Sequence, residues 1–562
     1  MVSGDFIYQN RRWTGADRSD CVAPNGMVAS KHRLISETGI KMLKRGGNAV
    51  DAAVAAAFMD CVVEPGMNGI GGEGVMTIHL ESGENVVIDY VGRPPASSST
   101  DMYEYDEGVE SGWMGWGKVK NDENVNGYKA CVVPGVVAGL ALALEEYGSM
   151  KLDEVMKPAI DTAKDGFVVG WWTASHIFGK MEAFWKYTEW RKIYLRDGRF
   201  PYLPYNYGMA APHVLRNPQL SKSLSSIAVG GPEVFYNGWI AGAIAKDMAE
   251  NGGLITREDM ATYEPITVKP EPGSYRGHEV VYDPTHSGTT MMQILNIMEG
   301  YDFSEMPYGS PEALHIVSEA IGLSFADRFK YMGDPGWVDV PHRGMTSNGY
   351  AAELRKRIDP EKAGAVESGD PWPYESEETT ALTVADKRGN MVAVNQTVVN
   401  SFGSGVVIPN TGILMNNAMY GLNPQPGTAN SIDGRKRRIQ NVCPAVVLRD
   451  GEGYMALGAP GGRNIQVSVA QAIHHVIDYG MGIQDAVDAP RVTRETGTVH
   501  LDSRFPEETY RRMVEMGHDV NYIDPELRGW GRPVGVLRGR DGTLHGGVYS
   551  MLTGFESVAV GC

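Results

Sequence analysis

The chain has 562 residues, 42% of them apolar and 21% charged, and a formal net charge of −18. The apolar share supplies a large core, and the length alone allows about two to four domains. The acidic balance, with no long Lys/Arg run, excludes nucleic acid and anionic membrane as expected partners.

In chain order, the opening MVSGDFIYQNRRW lacks the apolar run of a secretory signal. No stretch of about 18 apolar residues occurs anywhere, so no membrane span is expected and the expected location is the cytoplasm. Residues 35–45 read as a helix closed by Gly46-Gly47, and Asn48 stands where it can cap the next, the Ala-rich run 49–63. That run is apolar almost all round and is expected to be buried. Gly69, Gly71 and Gly74 fit G-x-G-x-x-G, with Asp89 further on. A dinucleotide site needs a strand before that motif and a helix after it. Here a helix precedes and the strand 75–80 follows, so the glycines are assigned to close backbone packing. Residues 84–90 form a second strand, followed by Val91, Gly92 and Arg93. Helices are expected at 136–147 and 152–166. From 171 to 207 the chain is unusually aromatic, which suits a wall or lid over a substrate, an oligomer contact or a packed insert. Helix, loop and helix follow over 230–265, β structure over 273–283, and helices at 289–298 and 311–331. Residues 355–378 are charged, carry Pro360, Pro371 and Pro373, and read as an exposed linker.

That linker leads to Thr379 and Thr380. Beyond them, Gly389 and Asn390 make a turn between two flanks, 381–385 and 391–399, that are rich in β-branched residues. Scission between Glu378 and Thr379 would give Thr379 a free α-amine beside its hydroxyl. Such an amine can serve the hydroxyl as general base, and it titrates near neutrality. Taken alone, a Thr-Thr pair entering a strand is ordinary β chemistry. Residues 403–417 are β-rich, the basic run 435–438 reads as a solvated loop, and 443–448 and 454–457 are strands. GAPGG (458–462) is a turn opening the helix 465–479, where peptide N–H groups converge and an anion is stabilised. No serine has glycines at both −2 and +2, so the nucleophile-elbow motif is absent. The five scattered cysteines show no C-x-x-C spacing. The histidines lack H-E-x-x-H and adjoin only as His474-His475, facing apart on a helix. Neither a disulfide framework nor a metal site is implied.

Several blocks occur in one order: GGNAVDAAVAAAF (46–58), VVEPGMNGIGGEGVM (62–76), PGVVAGL (134–140), SGTTMMQILN (287–296), ADRFKYMGDP (326–335), TT with VADKRGN (379–390), GSGVVIPNTGILMNN (403–417) and GAPGGRNI (458–465). With these blocks the chain resembles, over nearly its whole length, the γ-glutamyltranspeptidase family of self-cleaving N-terminal-nucleophile hydrolases. The resemblance implies an α+β fold, a four-layer αββα sandwich. It implies a precursor cut into residues 1–378 and 379–562, which together make one structural domain. It assigns Thr379 as nucleophile, Thr397 as its support and the Gly461 and Gly462 N–H groups as the oxyanion hole. No cofactor or metal is implied.

The departures from the family pattern concern the substrate. The pair of threonines is followed by Ala381 where relatives acting on glutathione carry His. The arginine that grips the substrate carboxylate falls on Val91. Arg93, on the same face of a continued strand, either replaces it or is a surface arginine before two prolines. A substrate-holding asparagine is Val399, with Asn400 displaced by one. The residues that bind the α-amine are Ala418 and Gly421, and the paired serines are Gln440 and Asn441. Arg93, Asn400, Tyr420, Gln440 and Asn441 are the candidate substrate-binding residues. A pocket without its charged partners rejects the zwitterion they matched. The expectation is a self-processing threonine amidohydrolase or acyltransferase on a small-molecule amide other than an ordinary γ-glutamyl group. Its two subunits come from one precursor, with a dimer of these as one form of assembly. Two readings stay open beside it: a γ-glutamyltransferase or glutathione hydrolase with a rebuilt pocket, and an uncleaved, non-catalytic binding homologue.

Overall fold

The computed structural model describes residues 20–110, 116–203, 213–270, 272–374, 385–525, 530–550 and 557–562. β1 (Cys21–Ala23) and β2 (Met27–Ser30) lead into α1 (Arg33–Lys44) and α2 (Ala49–Val63). The Asn48 side-chain oxygen accepts from the Val50 and Asp51 N–H groups at 2.9 and 3.0 Å. The Asp51 carboxylate accepts back from Asn48 N–H at 2.7 Å. This capping box satisfies orphan helix donors and fixes where α2 starts. α2 is buried on nearly every face, as its all-round apolar pattern requires. β3 (Glu73–His79) and β4 (Asn85–Tyr90) follow, then α3 (Val136–Tyr147), α4 (Leu152–Asp165), α5 (Trp171–Phe184) and α6 (Thr188–Tyr194). In this aromatic stretch Phe184, Trp190 and Tyr194 are buried, with the Trp190 and Phe402 ring centres 5.5 Å apart, while Trp171, Phe178 and Trp185 are exposed. The stretch is an insert packed on one side and open on the other.

β5 (Ile266–Val268), β6 (Pro272–Tyr275) and β7 (His278–Tyr282) precede α7 (Ser287–Glu299) and α8 (Pro311–Tyr331). Then come β8 (Met391–Thr397), β9 (Ala445–Arg449), β10 (Glu452–Gly458), α9 (Ile465–Ile477), α10 (Ile483–Asp488), β11 (Val534–Arg538), β12 (Leu544–Val548) and β13 (Val558–Gly561). One sheet runs β8-β3-β4-β5 and the other β1-β12-β11-β10-β9-β7-β6, antiparallel throughout. α2 and α3 cover the first sheet, α7, α9 and α10 cover the second, and β8 packs on β9 and β10 between them. The layers are therefore αββα. Residues on both sides of position 378 supply strands to each sheet. No helix among the described residues is long and apolar enough to cross a membrane.

Two boundaries differ from the sequence pattern. β3 starts at Glu73 rather than at 75, which brings that carboxylate into the sheet. Residues 403–417 hold only the short strands Val407–Ile408 and Ile413–Leu414, because Asn410 and Gly412, at φ 64° and 68°, turn the chain between them. The turn before β8 is as expected: Asp386 N–H donates to Asn390 O at 2.5 Å, and Gly389 adopts φ 107°. Glu378, Thr379 and the flank 381–384 lie outside the described residues.

Alternation along β3 sends Met76 and Ile78 towards α2 and sends Val75 and Thr77 towards the second sheet, where Thr77 Oγ1 donates to Pro444 O. Glu73 shares that second face. The glycines before and within β3 let three backbones cross at close range. A methyl group on Gly71 would lie 2.1 Å from Leu414 O, and one on Gly72 2.5 Å from Thr397 O. Neither obstacle is a side chain that can swing away. Gly72→Ala is therefore expected to destabilise by about 1–3 kcal/mol as overpacking does. Gly179, within α5 with nothing near its missing Cβ, is the control, and Gly179→Ala should leave stability unchanged or raise it slightly. Thermal melts of the two variants check this, and equal Tm values would overturn it.

Candidate active site

The β3–β8 register pairs Thr397 with Glu73 where both strands end. Across from them β10 ends at Gly458, and the 3-10 turn Gly462–Asn464 opens α9. A cavity of about 270 Å³ opens between these elements. It follows the edge of β8 that pairs with no strand among the described residues. Thr397, Arg438, Gln440, Asn441, Gly461 and Gly462 line its polar end, whereas Met27, Ala52, Ala56, Val392 and Val536 make the other end apolar.

Gly461 and Gly462 have φ 144° and 56°, a backbone region that favours glycine. A methyl group on Gly461 would also stand 2.5 Å from Gly531 Cα. The N–H groups of both glycines donate to no protein group among the described residues. Two unspent donors at a helix start, on a cavity wall, can hold a developing oxyanion. Asn395 Nδ2 donates to Ala459 O at 2.8 Å and ties β8 to this turn. Thr397 Oγ1 accepts from Val399 N–H at 2.8 Å. Val399 itself sits at φ 82°, a strained conformation for a β-branched residue.

The basic run expected to be solvated is buried instead: Lys436, Arg437 and Arg438 are 4%, 8% and 3% exposed. For Arg438 the cause is a carboxylate distant in sequence. Glu73 Oε1 accepts from Arg438 Nε at 2.9 Å and Nη2 at 2.5 Å, and also from Gln440 Nε2. Glu73 Oε2 accepts from Gly92 N–H at 2.8 Å. Arg437 donates to Glu264 O at 2.9 Å, and its own N–H donates to Asp334 at 2.6 Å. Behind Gln440 and Asn441 lies a third buried guanidinium. Arg328 Nη2 donates to Gln440 O at 2.9 Å and Asn441 Oδ1 at 3.1 Å, and Nη1 to Thr290 Oγ1 at 3.3 Å. Burial lowers its pKa, since no carboxylate among the described residues pairs with it. Gln440 N–H donates to His286 Nδ1 at 3.2 Å. Burial opposes a charge on His286, yet the Asp283 and Asp89 carboxylates hold its pKa above the ordinary value. Lys31 and Asp60 also line the cavity. Burial lowers the pKa of the lysine and raises that of the aspartate.

Of the candidates from the sequence, Thr397, Gln440, Asn441, Gly461 and Gly462 come together on this cavity. Arg93 does not: the strand ends at Tyr90, and Arg93 Nη1 turns to Thr262 O at 3.2 Å. Val91, the position it was to replace, is buried against Val75, Val87 and Val442. Asn400 stands beside Asn417, whose Oδ1 accepts from its N–H at 3.0 Å. Tyr420 lies in the turn Ala418–Gly421, outside the lining, its pKa pushed up to about 12 by burial. Glu73, Arg438, Arg328, Lys31 and Asp60 were not singled out in the sequence. For Asp60, half-buried on the cavity, the signal was present, since an acid in a helix apolar all round is drawn out of water. His474 and His475 are not the chain's only histidine contact: His315 Nδ1 and His518 Nε2 are 2.7 Å apart, beside Glu319. Glu319 is bound by Arg494 at 2.5 Å and His315 Nε2 by Asp359 O at 2.8 Å, so the group is a hydrogen-bonded strut between α8 and the segment before β11.

The profile of the Gamma-glutamyltranspeptidase family matches residues 35–548. The glutathione hydrolase proenzyme of Escherichia coli (strain K12) is 35% identical over 543 residues, 93% of this chain and 90% of that protein. The acylase ACY 1 proenzyme of Pseudomonas sp. (strain V22) is 38% identical over 545 residues, 96% of this chain and 93% of that protein. Among solved structures, the cephalosporin acylase from Bacillus halodurans superposes with a TM-score of 0.86 at 29% identity, covering 98% of each chain. The four-layer fold is thus that of the N-terminal-nucleophile hydrolases. The chain belongs to the γ-glutamyltranspeptidase family and is an enzyme.

Proposed function

We propose that the chain is a self-processing amidohydrolase with Thr379 as its nucleophile, acting on amides other than ordinary γ-glutamyl amides. The observation that carries this is the pair of unspent N–H groups at Gly461 and Gly462, on the same cavity end as Thr397. The Thr379 hydroxyl attacks the amide carbonyl, and its own α-amine takes the proton. The oxyanion forms against the two glycine N–H groups. The tetrahedral species collapses to an ester on Thr379, and the leaving amine departs with the proton from the α-ammonium. Water, deprotonated by the same α-amine, then releases the acid.

Before cleavage the same hydroxyl attacks the carbonyl of Glu378. Purified protein is therefore expected as two pieces, 1–378 and 379–562, the second beginning at Thr379. Thr379→Ala should abolish both cleavage and turnover, while Thr379→Ser should retain cleavage. Intact mass and an amide assay check this together. An active protein that stays one chain would sink the mechanism.

The acyl pocket favours this reading over a γ-glutamyl enzyme with a rebuilt site. A Cβ on Gly421 would stand 2.5 Å from both Cδ and Nη1 of Arg438, so a cation fills the space where relatives bind the α-amine. Glutathione is expected to be at least ~100-fold poorer in kcat/KM than the best small amide, since an unpaired buried charge costs several kcal/mol and each ~1.4 is a factor of ten. Equal kcat/KM values would favour the γ-glutamyl reading instead.

A further inference from the structure

We propose that the open face of α5 is the contact between two copies of this chain, paired about a two-fold axis at Phe178. Trp171 opens α5, Phe178 stands at its middle and Trp185 caps its end, and they are 63%, 70% and 45% exposed. On a helix, steps of seven residues drift by only about 20° each, so the three rings share one face. The opposite face is fixed: Ala174, Ile177 and Phe184 are buried in the core over the first sheet. Arg191 holds one side of the Trp185 ring, its guanidinium 5.0 Å from the ring centre. A ring so held has little freedom left to lose on docking. At about 150–250 Å² per ring, the exposed fractions amount to about 300–450 Å² of aromatic surface on each copy. A stable interface takes about 800 Å² from each partner and has an apolar, aromatic centre inside a polar rim. The three rings supply such a centre, and Ser175, Glu182 and Lys186, all exposed beside them, begin the rim. The occupant follows from the spacing, which reads the same in both directions along α5. An antiparallel copy sets Phe178 on Phe178 and each Trp171 on the other copy's Trp185, and brings Ser175 close to Glu182, so polar meets polar. A lipid surface gives no reason for that register. Glu182 between two of the rings, in a chain of net charge −18, also opposes anionic headgroups.

Analytical ultracentrifugation of the full-length protein tests this, and the expected mass is twice 61.2 kDa. Phe178→Asp and Phe178→Lys should each raise the dissociation constant at least ~100-fold, because like charges then meet at the centre of the contact. Mixed in equal amounts, the two variants should pair again, since the introduced carboxylate then faces the introduced ammonium. That recovery also shows that both variants are folded. Phe329→Asp is the control: Phe329 is 41% exposed on α8, which packs in the core of the other sheet, and the change should leave the dimer intact. A mass of 61.2 kDa at every concentration overturns the proposal, as does a dimer that either Phe178 variant leaves intact. A mixture of the two variants that stays monomeric overturns the two-fold pairing and the proposal with it. Monomeric protein that floats with vesicles of equal parts phosphatidylcholine and phosphatidylglycerol, and no longer does so as Phe178→Asp, assigns the face to lipid instead.

Discussion

The close crossing of β3 and β8 is the constraint on which the site depends. Residues 73–79 and 391–397 are more than three hundred positions apart and pair along their full length. The pairing is possible only because the chain just before β3 carries no side chains where Thr397 O and Leu414 O approach. Once the crossing is made, Thr397 stands opposite Glu73, and alternation turns both into the gap between the sheets. β9 and β10, with the glycine turn after them, close that gap from the other side. Every polar group at the cavity end therefore depends on a contact between parts of the chain that are remote in sequence.

The buried charges around Glu73 come at a cost to stability. Desolvating a guanidinium and a carboxylate is expensive, and breaking such a pair by removing one member typically loses about 3–5 kcal/mol. Among the described residues, Arg328 is held in the same region by neutral acceptors alone. Val399 adds backbone strain at the end of β8. A core built for stability would use apolar residues at these positions. Charge and strain concentrated at one end of a cavity instead fit a surface shaped for selectivity.

Much of the scaffold could be read from the sequence, because local signals agreed with the tertiary outcome. Asn48 before an Ala-rich run gave the start of α2, and the helices 136–147 and 311–331 appear with the boundaries their patterns indicate. The glycines at 69–74 were rightly assigned to backbone packing, because the element order around them does not suit a nucleotide site. The charged wall was not readable in the same way. Four consecutive cations look like a solvated loop unless their distant partner is known, and Glu73 was hidden by the glycines around it. Arg93 was placed by extending a strand that in fact ends at Tyr90. Alternation predicts direction only while the strand lasts.

Strands from both sides of position 378 make up each sheet: β9 to β12 flanked by β1 and by β7 and β6 in one, β8 on the edge of β3 to β5 in the other. Neither segment alone could complete a sheet, and each by itself would leave long unpaired edges of the kind that aggregate. Folding must therefore come before any scission at that point. Scission also changes the order of the reverse reaction. An intact chain closes its long loops as a unimolecular step. Two separated pieces must first meet, so recovery after unfolding becomes dependent on concentration and competes with aggregation. The cut molecule then persists through the slowness of its unfolding rather than through its ability to refold.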